Sequence, residues 1–172
     1  MECKICGDNK FIARGKDRCL SCFTSGLENG HLIIGIDPDC ELNGYAEWDI
    51  KQKRLTVSKQ SFFQIFDILH SSKNDIALVR IEAGWHNKKS NFHSNSSQSK
   101  SVGENIAKKV GSNHETGRKL VEMCQYLDIQ VEEVKPLGTK SVDAKLFKKM
   151  TGIAIRTNQD MRDAGMLVFK YK

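Results

Sequence analysis

Two continuous runs of apolar residues, both rich in β-branched side chains, constrain the fold of this chain more than any other feature. The first, HLIIGI, spans 31–36, and the second, within DIALVRIE, spans 75–82. Neither run alternates between apolar and polar residues, so each is typical of a strand that is buried on both faces. Strands of this kind are covered by helices on both sides of a sheet, which predicts an α/β fold.

Shorter patterns supply the other elements of the predicted fold. GYAEWDI (44–50) and RLTVS (54–58) predict two strands joined by a hairpin turn, and DIQVEEV (128–134) predicts a last strand. Ser61 is placed to cap a helix through FFQIFDILH. We therefore expect one mixed five-stranded sheet flanked by helices. Three further helices are predicted, at 103–127, 141–150 and 159–168.

The N-terminal segment carries a cysteine pattern of its own. Two CxxC pairs separated by twelve residues supply four thiolates: Cys3, Cys6, Cys19 and Cys22. This spacing is typical of a zinc ribbon, because tetrahedral Zn²⁺ takes four such ligands. Four reduced structural cysteines or an iron–sulfur site are the alternatives. We expect a small module over 1–28 that folds around one structural Zn²⁺, followed by the α/β domain over 29–172.

Charge and hydropathy narrow the class of partner. The net charge is +6 and the pI is about 9.0, which favours a polyanion such as nucleic acid. No apolar run approaches the roughly 20 residues that span a bilayer, and the N-terminus lacks the apolar core of a signal peptide. We therefore expect a cytoplasmic protein with neither a membrane partner nor a small-molecule cofactor.

Four acids stand where an α/β fold could bring them together. Asp37 ends the first buried run and Glu82 ends the second, and functional groups gather at the carboxyl ends of strands. Asp160 and Asp163 lie three residues apart on the last predicted helix and share one face. Two Mg²⁺ or Mn²⁺ ions would neutralise such a cluster and make it a site of phosphodiester hydrolysis.

Each acid also has a structural explanation when it is taken alone. Asp37 could begin a turn, Glu82 could pair with a lysine, and Asp160 could favour the first turn of its helix. The order and context of all four acids together favour the functional interpretation.

The motifs around these acids resemble those of the RuvC Holliday-junction resolvases. GIDP at 35–38, followed after five residues by GY at 44–45, resembles the first motif of that family. Glu82 with an aromatic residue, Trp85, three positions later resembles the second motif. DMRDA at 160–164 resembles the last motif, DxxDA. The likeness covers most of the predicted α/β domain.

The resemblance implies an RNase H-like fold with the metal-binding carboxylates Asp37, Glu82, Asp160 and Asp163. A weaker pattern that begins at Pro136 implies that Lys140 or Lys145 stabilises charge in the transition state. The family acts as a homodimer on four-way junctions, and its dimer contacts involve the long helix.

Several departures from the family suggest a divergent branch of phage or mobile-element type. Asp39 stands where the family has glycine and adds negative charge near the metals. The polar segment 86–102, which is predicted to be an exposed mobile loop, is longer, and the link before Lys145 is shorter. The zinc module at the N-terminus is not typical of the family.

Candidate DNA contacts flank the polar segment and continue along the long helix. The cations that could contact phosphates are Lys88, Lys89, Lys100, Lys108, Lys109, Arg118 and Lys119. Trp85 could stack on an unpaired base of a junction or could belong to the core. His86, His93 and His114 show no ligand spacing and are interpreted as loop or surface residues.

These observations favour a metal-dependent, structure-selective DNA endonuclease that resolves Holliday junctions by paired hydrolysis. An RNase H-type or flap nuclease of the same fold is one alternative, although the second acid of ribonuclease H lies on a helix and Glu82 is predicted to end a strand. The other alternative is a non-catalytic zinc-ribbon adaptor that binds nucleic acid. The presence of all four acids argues against the adaptor.

Overall fold

A computed structural model of the chain describes residues 30–87, 100–136 and 142–169. The predicted zinc module, with Cys3, Cys6, Cys19 and Cys22, lies outside the described residues. The same holds for Lys88, Lys89, His93 and Lys140, and for the side chain of Lys100.

Five strands form one mixed sheet in the order β3-β2-β1-β4-β5. The first three strands form an antiparallel meander, whereas β4 is parallel to β1 and β5 is parallel to β4. This confirms the mixed five-stranded sheet predicted from the sequence. The strands are β1 Leu32–Asp37, β2 Asn43–Asp49, β3 Arg54–Gln60, β4 Ile76–Glu82 and β5 Val131–Val134.

The two apolar runs form the adjacent strands β1 and β4. Ile33, Ile34 and Ile36 of β1 are completely buried, and every residue of β4 before Glu82 is buried. Both faces of these strands are therefore covered, as their continuous hydrophobicity predicted.

The last strand is shorter than the sequence predicted. The prediction began at Asp128, but β5 begins at Val131 because the preceding residues close the long helix. Asp128 adopts a left-handed φ of 55°, and the N–H of Ile129 donates to the carbonyl of Cys124 at 2.8 Å. These backbone groups end a helix and so are not available to a strand.

Within the described ranges, four helices accompany the sheet: α1 Phe62–Ser71, α2 Lys100–Tyr126, α3 Ala144–Thr151 and α4 Gln159–Phe169. Short 3₁₀ turns occupy Lys73–Asp75 and Gly84–His86. The start of α2 at Lys100 corrects the predicted loop 86–102, whose last three residues are helical. None of the described helices is long and apolar enough to cross a membrane.

The helices cover opposite faces of the sheet, because side chains alternate along each strand. Ile34 and Ile36 pack on the α1 and α2 side, where Leu120 of α2 is completely buried. Ile33 packs on the other side, with Ala164 of α4. Asp37 has the same parity as Ile33 and therefore belongs to the α4 face. The apolar stripe of the long helix thus contributes to the core of the chain itself.

The start of α1 carries a capping box that we predict to be a measurable source of stability. Ser61 Oγ accepts from the N–H of Gln64, and Gln64 Oε1 accepts from the N–H of Ser61 at 2.8 Å. Ser61→Ala should lower the free energy of unfolding by about 1 kcal/mol in urea denaturation. Ser72→Ala, at the other end of the helix, is the control and should change it by less than about 0.5 kcal/mol. Equal effects of the two substitutions would contradict the capping role.

Candidate active site

One row of paired residues across the sheet organises the acidic cluster. Asp37 on β1 pairs with Gly44 on β2, and Gly44 pairs with Lys59 on β3. Directly paired residues of antiparallel strands project to the same face, here the face covered by α4. On the other side of β1, Ile36 pairs with Ile81 in parallel register, so that Glu82 follows at the level of Asp37. The two acids that end strands are therefore neighbours.

Helix α4 reaches this row because two glycines let its backbone approach the sheet closely. A Cβ atom added to Gly44 would lie 2.1 Å from the carbonyl oxygen of Asp160 and 3.0 Å from its Cβ. A Cβ atom added to Gly35 would lie 2.4 Å from the carbonyl oxygen of Ala164. Any larger residue would push α4 away. The glycines of GIDP and GY thus place Asp160 directly above the row.

Burial and repulsion between neighbouring carboxylates raise the pKa of three of the acids. Burial raises the pKa of Asp37 to about 8, with further contributions from Glu82, Asp163 and Asp160, while Lys59 lowers it. The pKa of Glu82 is raised by burial and by Asp163. That of Asp163 is raised mainly by burial, against a lowering hydrogen bond from Gln159. The structure thus gathers all four acids at one end of the sheet.

Two of the four carboxylates are held by neighbouring donors. Asp160 Oδ2 accepts from Lys59 Nζ at 2.5 Å and from Asn158 Nδ2 at 3.2 Å. Asp163 Oδ1 accepts from Gln159 Nε2 at 2.7 Å. As the side chains stand, no three His, Cys, Asp or Glu residues of the described ranges are arranged to hold a metal ion.

The chemistry of the cluster nevertheless fits a divalent cation. Carboxylate oxygens are the ligands that Mg²⁺ and Mn²⁺ prefer. Burial and mutual repulsion disfavour the ionised form of Asp37, and the attraction of a bound cation would offset both effects. The present donors engage one oxygen of Asp160 and one oxygen of Asp163, which leaves the second oxygen of each carboxylate for a cation.

A cleft of ≈ 280 Å³ opens beside the strand-end acids and is walled by the long helix. Its lining includes Asp37, Glu82, Trp85, Asn113 and His114. His114 is half-buried there, and burial together with Arg118 lowers its pKa. His114 is thus a partly exposed residue of α2 that faces the acids, a position that sequence spacing could not show.

Trp85 forms the wall of the cleft and is packed against α2. A Cβ atom at Gly117 would lie 2.4 Å from Cζ3 of the Trp85 ring, so the ring occupies a notch in the helix. Trp85 Nε1 donates to Glu133 Oε2 at 3.1 Å, and His86 Nε2 lies 2.6 Å from the same oxygen. The guanidinium carbon of Arg118 lies 5.6 Å from the ring centroid. The side chain thus combines core-like packing with a position beside the acids.

The other candidate cations lie at the periphery. Lys108 and Lys109 are exposed on α2, and Lys119 Nζ pairs with Glu122 Oε2 at 2.7 Å. Lys145 is exposed on α3. Among the residues that the structure describes, Lys59, which the sequence did not single out, forms an ion pair with an acid of the cluster.

The departure at Asp39 has a structural role. Its Oδ1 accepts from the N–H of Glu41 at 2.8 Å, which stabilises the turn between β1 and β2. Its Oδ2 accepts from Asn113 Nδ2 of α2 at 3.4 Å. The carboxylate is thus engaged by turn and helix donors, and we assign it to the turn rather than to the acidic cluster.

Gly44→Ala should weaken the contact between α4 and the sheet. Because the added methyl group meets a backbone carbonyl, we expect a loss of about 1–3 kcal/mol in the free energy of unfolding. The matched control is Gly111→Ala on α2, where a Cβ meets nothing within 4 Å and should stabilise the helix slightly. Urea denaturation of both variants measures the difference. Wild-type stability of Gly44→Ala would contradict the close approach of α4.

Asp37→Asn should stabilise the metal-free protein. The raised pKa of Asp37 means that folding disfavours its charge, so the wild type loses stability as the pH rises from about 4 to about 8. We expect the amide to add about 2 kcal/mol at pH 8, or roughly 4–8 °C in Tm, and nothing near pH 4. Calorimetry in EDTA tests this, with Asp67→Asn on the exposed face of α1 as control. A lower Tm for Asp37→Asn at pH 8 would contradict the repulsion.

Comparison with known proteins supports the fold. No protein-family model matches the sequence, and no curated protein matches it in sequence. Among solved structures, the chain is similar to T. thermophilus RuvC in complex with a Holliday junction substrate, with a TM-score of 0.50. The match covers 80% of this chain and 90% of that chain at 16% sequence identity. The described domain therefore has the RNase H-like fold of RuvC, as the motifs predicted.

Proposed function

We propose that this chain is a metal-dependent, structure-selective DNA endonuclease that resolves Holliday junctions by paired phosphodiester hydrolysis. The observation that carries the proposal is the gathering of Asp37, Glu82, Asp160 and Asp163 from three separate elements at one end of the sheet. Burying several acids close together lowers the stability of a fold. Since the close packing of α4 on two glycines brings these acids together in spite of that cost, a functional role explains the cluster better than a structural one.

The chain supplies the ligands and the shape of the site. Asp37, Glu82, Asp160 and Asp163 would hold two Mg²⁺ or Mn²⁺ ions, which supply Lewis acidity and an activated water when bound. The rigid strands β1 and β4 fix Asp37 and Glu82, and α4 fixes the other two acids. Trp85 and α2 wall the cleft in which a DNA strand would lie beside the acids.

Branched DNA is the proposed substrate for two reasons. The RuvC structure that the chain resembles contains a Holliday junction. The net charge of +6 favours a polyanion, and the exposed cations Lys108, Lys109 and Arg118 on α2 could contact phosphates near the cleft. We include Lys88, Lys89 and Lys100 in the same proposed DNA-binding surface.

The position of Glu82 favours this function over a ribonuclease H. Glu82 is the last residue of β4, whereas the corresponding acid of a ribonuclease H lies on a helix. The proposal includes a homodimer, because two active sites are needed for paired nicks in one junction. It also includes a structural Zn²⁺ bound by Cys3, Cys6, Cys19 and Cys22 in a docking module, and we place the protein in the cytoplasm.

The direct test incubates the full chain with fluorescent four-way junctions, flaps and RNA–DNA hybrids, in Mg²⁺ or in EDTA. We expect paired nicks in the junction that require Mg²⁺, and a loss of at least about 100-fold in rate for Asp37→Asn with junction affinity retained. Asp67→Asn serves as the charge-matched control and should cut normally.

The outcome separates the competing functions. Cutting confined to the RNA–DNA hybrid would favour a ribonuclease H, and cutting confined to flaps would favour a flap nuclease. An intact junction in the presence of Mg²⁺, bound by a folded dimer, would favour the non-catalytic adaptor.

A further inference from the structure

Lys59 occupies an unusual position for a strand lysine. It lies on the edge strand β3, and its ammonium nitrogen is 2.5 Å from Oδ2 of Asp160, an acid 101 residues away in the chain. Three-quarters of its side chain is shielded from solvent, since its relative exposure is 25%. A shielded ion pair of this kind holds its carboxylate more firmly than an exposed surface pair does.

The sheet register explains how Lys59 reaches the cluster. Its pairing partner on β2 is Gly44, which in turn pairs with Asp37. Since Gly44 has no side chain, nothing of β2 separates Lys59 from the face where Asp160 packs. The same glycine that admits α4 thus also lets a lysine extend along the sheet to the acids.

Lys59 compensates part of the charge that the acids bring together. It lowers the pKa of Asp37, which burial and three other acids raise. Its ammonium group also lies against one oxygen of Asp160, Oδ2, at 2.5 Å. A divalent cation that binds through Asp160 would stand close to this ammonium group, so repulsion between like charges makes the two cations compete for the carboxylate.

We propose that Lys59 is a resident counter-cation that holds Asp160 in the metal-free protein and competes with the divalent cation for this carboxylate. This inference rests on the proposed metal-dependent function and names a residue that tunes it. Lys59 stabilises the folded domain before metal arrives, and it lowers the affinity of the site for metal. The protein then remains folded without metal but binds metal more weakly than its four acids would allow.

The test measures Mn²⁺ affinity by electron paramagnetic resonance on the full chain without DNA. Lys59→Gln removes the competing charge, and we expect it to bind Mn²⁺ about 10-fold more tightly than the matched control does. The control, Lys51→Gln, removes the same charge from the exposed turn between β2 and β3. Lys59→Arg keeps the charge and should bind Mn²⁺ about as the wild type does.

Stability provides a second readout on the same variants. In EDTA, Lys59→Gln should have a lower Tm than Lys51→Gln, because Asp160 loses its ion pair, and saturating Mn²⁺ should remove most of this difference. A Tm for Lys59→Gln equal to that of the control in EDTA would overturn the stabilising role.

The affinities distinguish failure of this inference from failure of the proposed function. If Lys59→Gln binds Mn²⁺ no more tightly than Lys51→Gln, or if Lys59→Arg binds as tightly as Lys59→Gln, the competition is wrong and the metal site stands. If the wild type and all variants bind no Mn²⁺, both proposals are wrong.

A measurement on the wild type covers the case in which Lys59→Gln does not fold. The ¹⁵N resonance of the Lys59 ammonium should shift and its proton exchange should accelerate as Mg²⁺ is added. Lys51, which is exposed in the hairpin turn, serves as the internal reference and should not change. A Lys59 resonance that stays unchanged at saturating Mg²⁺ would overturn the proposal.

Discussion

The close approach of α4 to the sheet is the contact on which the rest of the site depends. The backbone of the helix lies against Gly35 and Gly44, at distances that no other residue would permit. This contact sets where the helix begins relative to β1, and therefore where Asp160 and Asp163 project. It also forces charges of like sign into a partly buried space, so the packing that stabilises the α4 face creates the electrostatic cost at its end.

The four acids differ in how far neighbouring donors compensate their charge. Asp160 has a lysine and an asparagine as donors, and Asp163 has a glutamine. Asp37, on the central strand β1, has a pKa raised to about 8, because burial and three neighbouring carboxylates act on it together. A site in which burial and repulsion disfavour the charge of Asp37, while Asp160 and Asp163 of α4 are held by donors, is suited to receive positive charge beside Asp37.

The sequence predicted the parts of this arrangement that local patterns encode. Continuous apolar runs identified β1 and β4, the acids that follow them marked the strand ends, and Ser61 marked a helix start. It could not identify Lys59, since a lysine in an amphipathic edge strand is ordinary until the hairpin register and the docking of α4 bring it to Asp160. The predicted last strand also began too early, at Asp128, because the residues before Val131 end α2 instead of joining β5.

The difference between local patterns and long-range contacts also limits what the fold says about function. A likeness at 16% identity establishes how the strands and helices are connected, and many chemistries share such a scaffold. What the scaffold leaves open is which side chains occupy the end of the sheet and how their charges are balanced. Here that balance involves Lys59 on an edge strand, whereas the motif resemblance pointed to lysines near the C-terminal helices, of which Lys145 is exposed on α3. At this site, the glycine in the intervening strand β2 leaves a path along the sheet by which a lysine of the edge strand β3 reaches the acids, a contact that no local motif encodes.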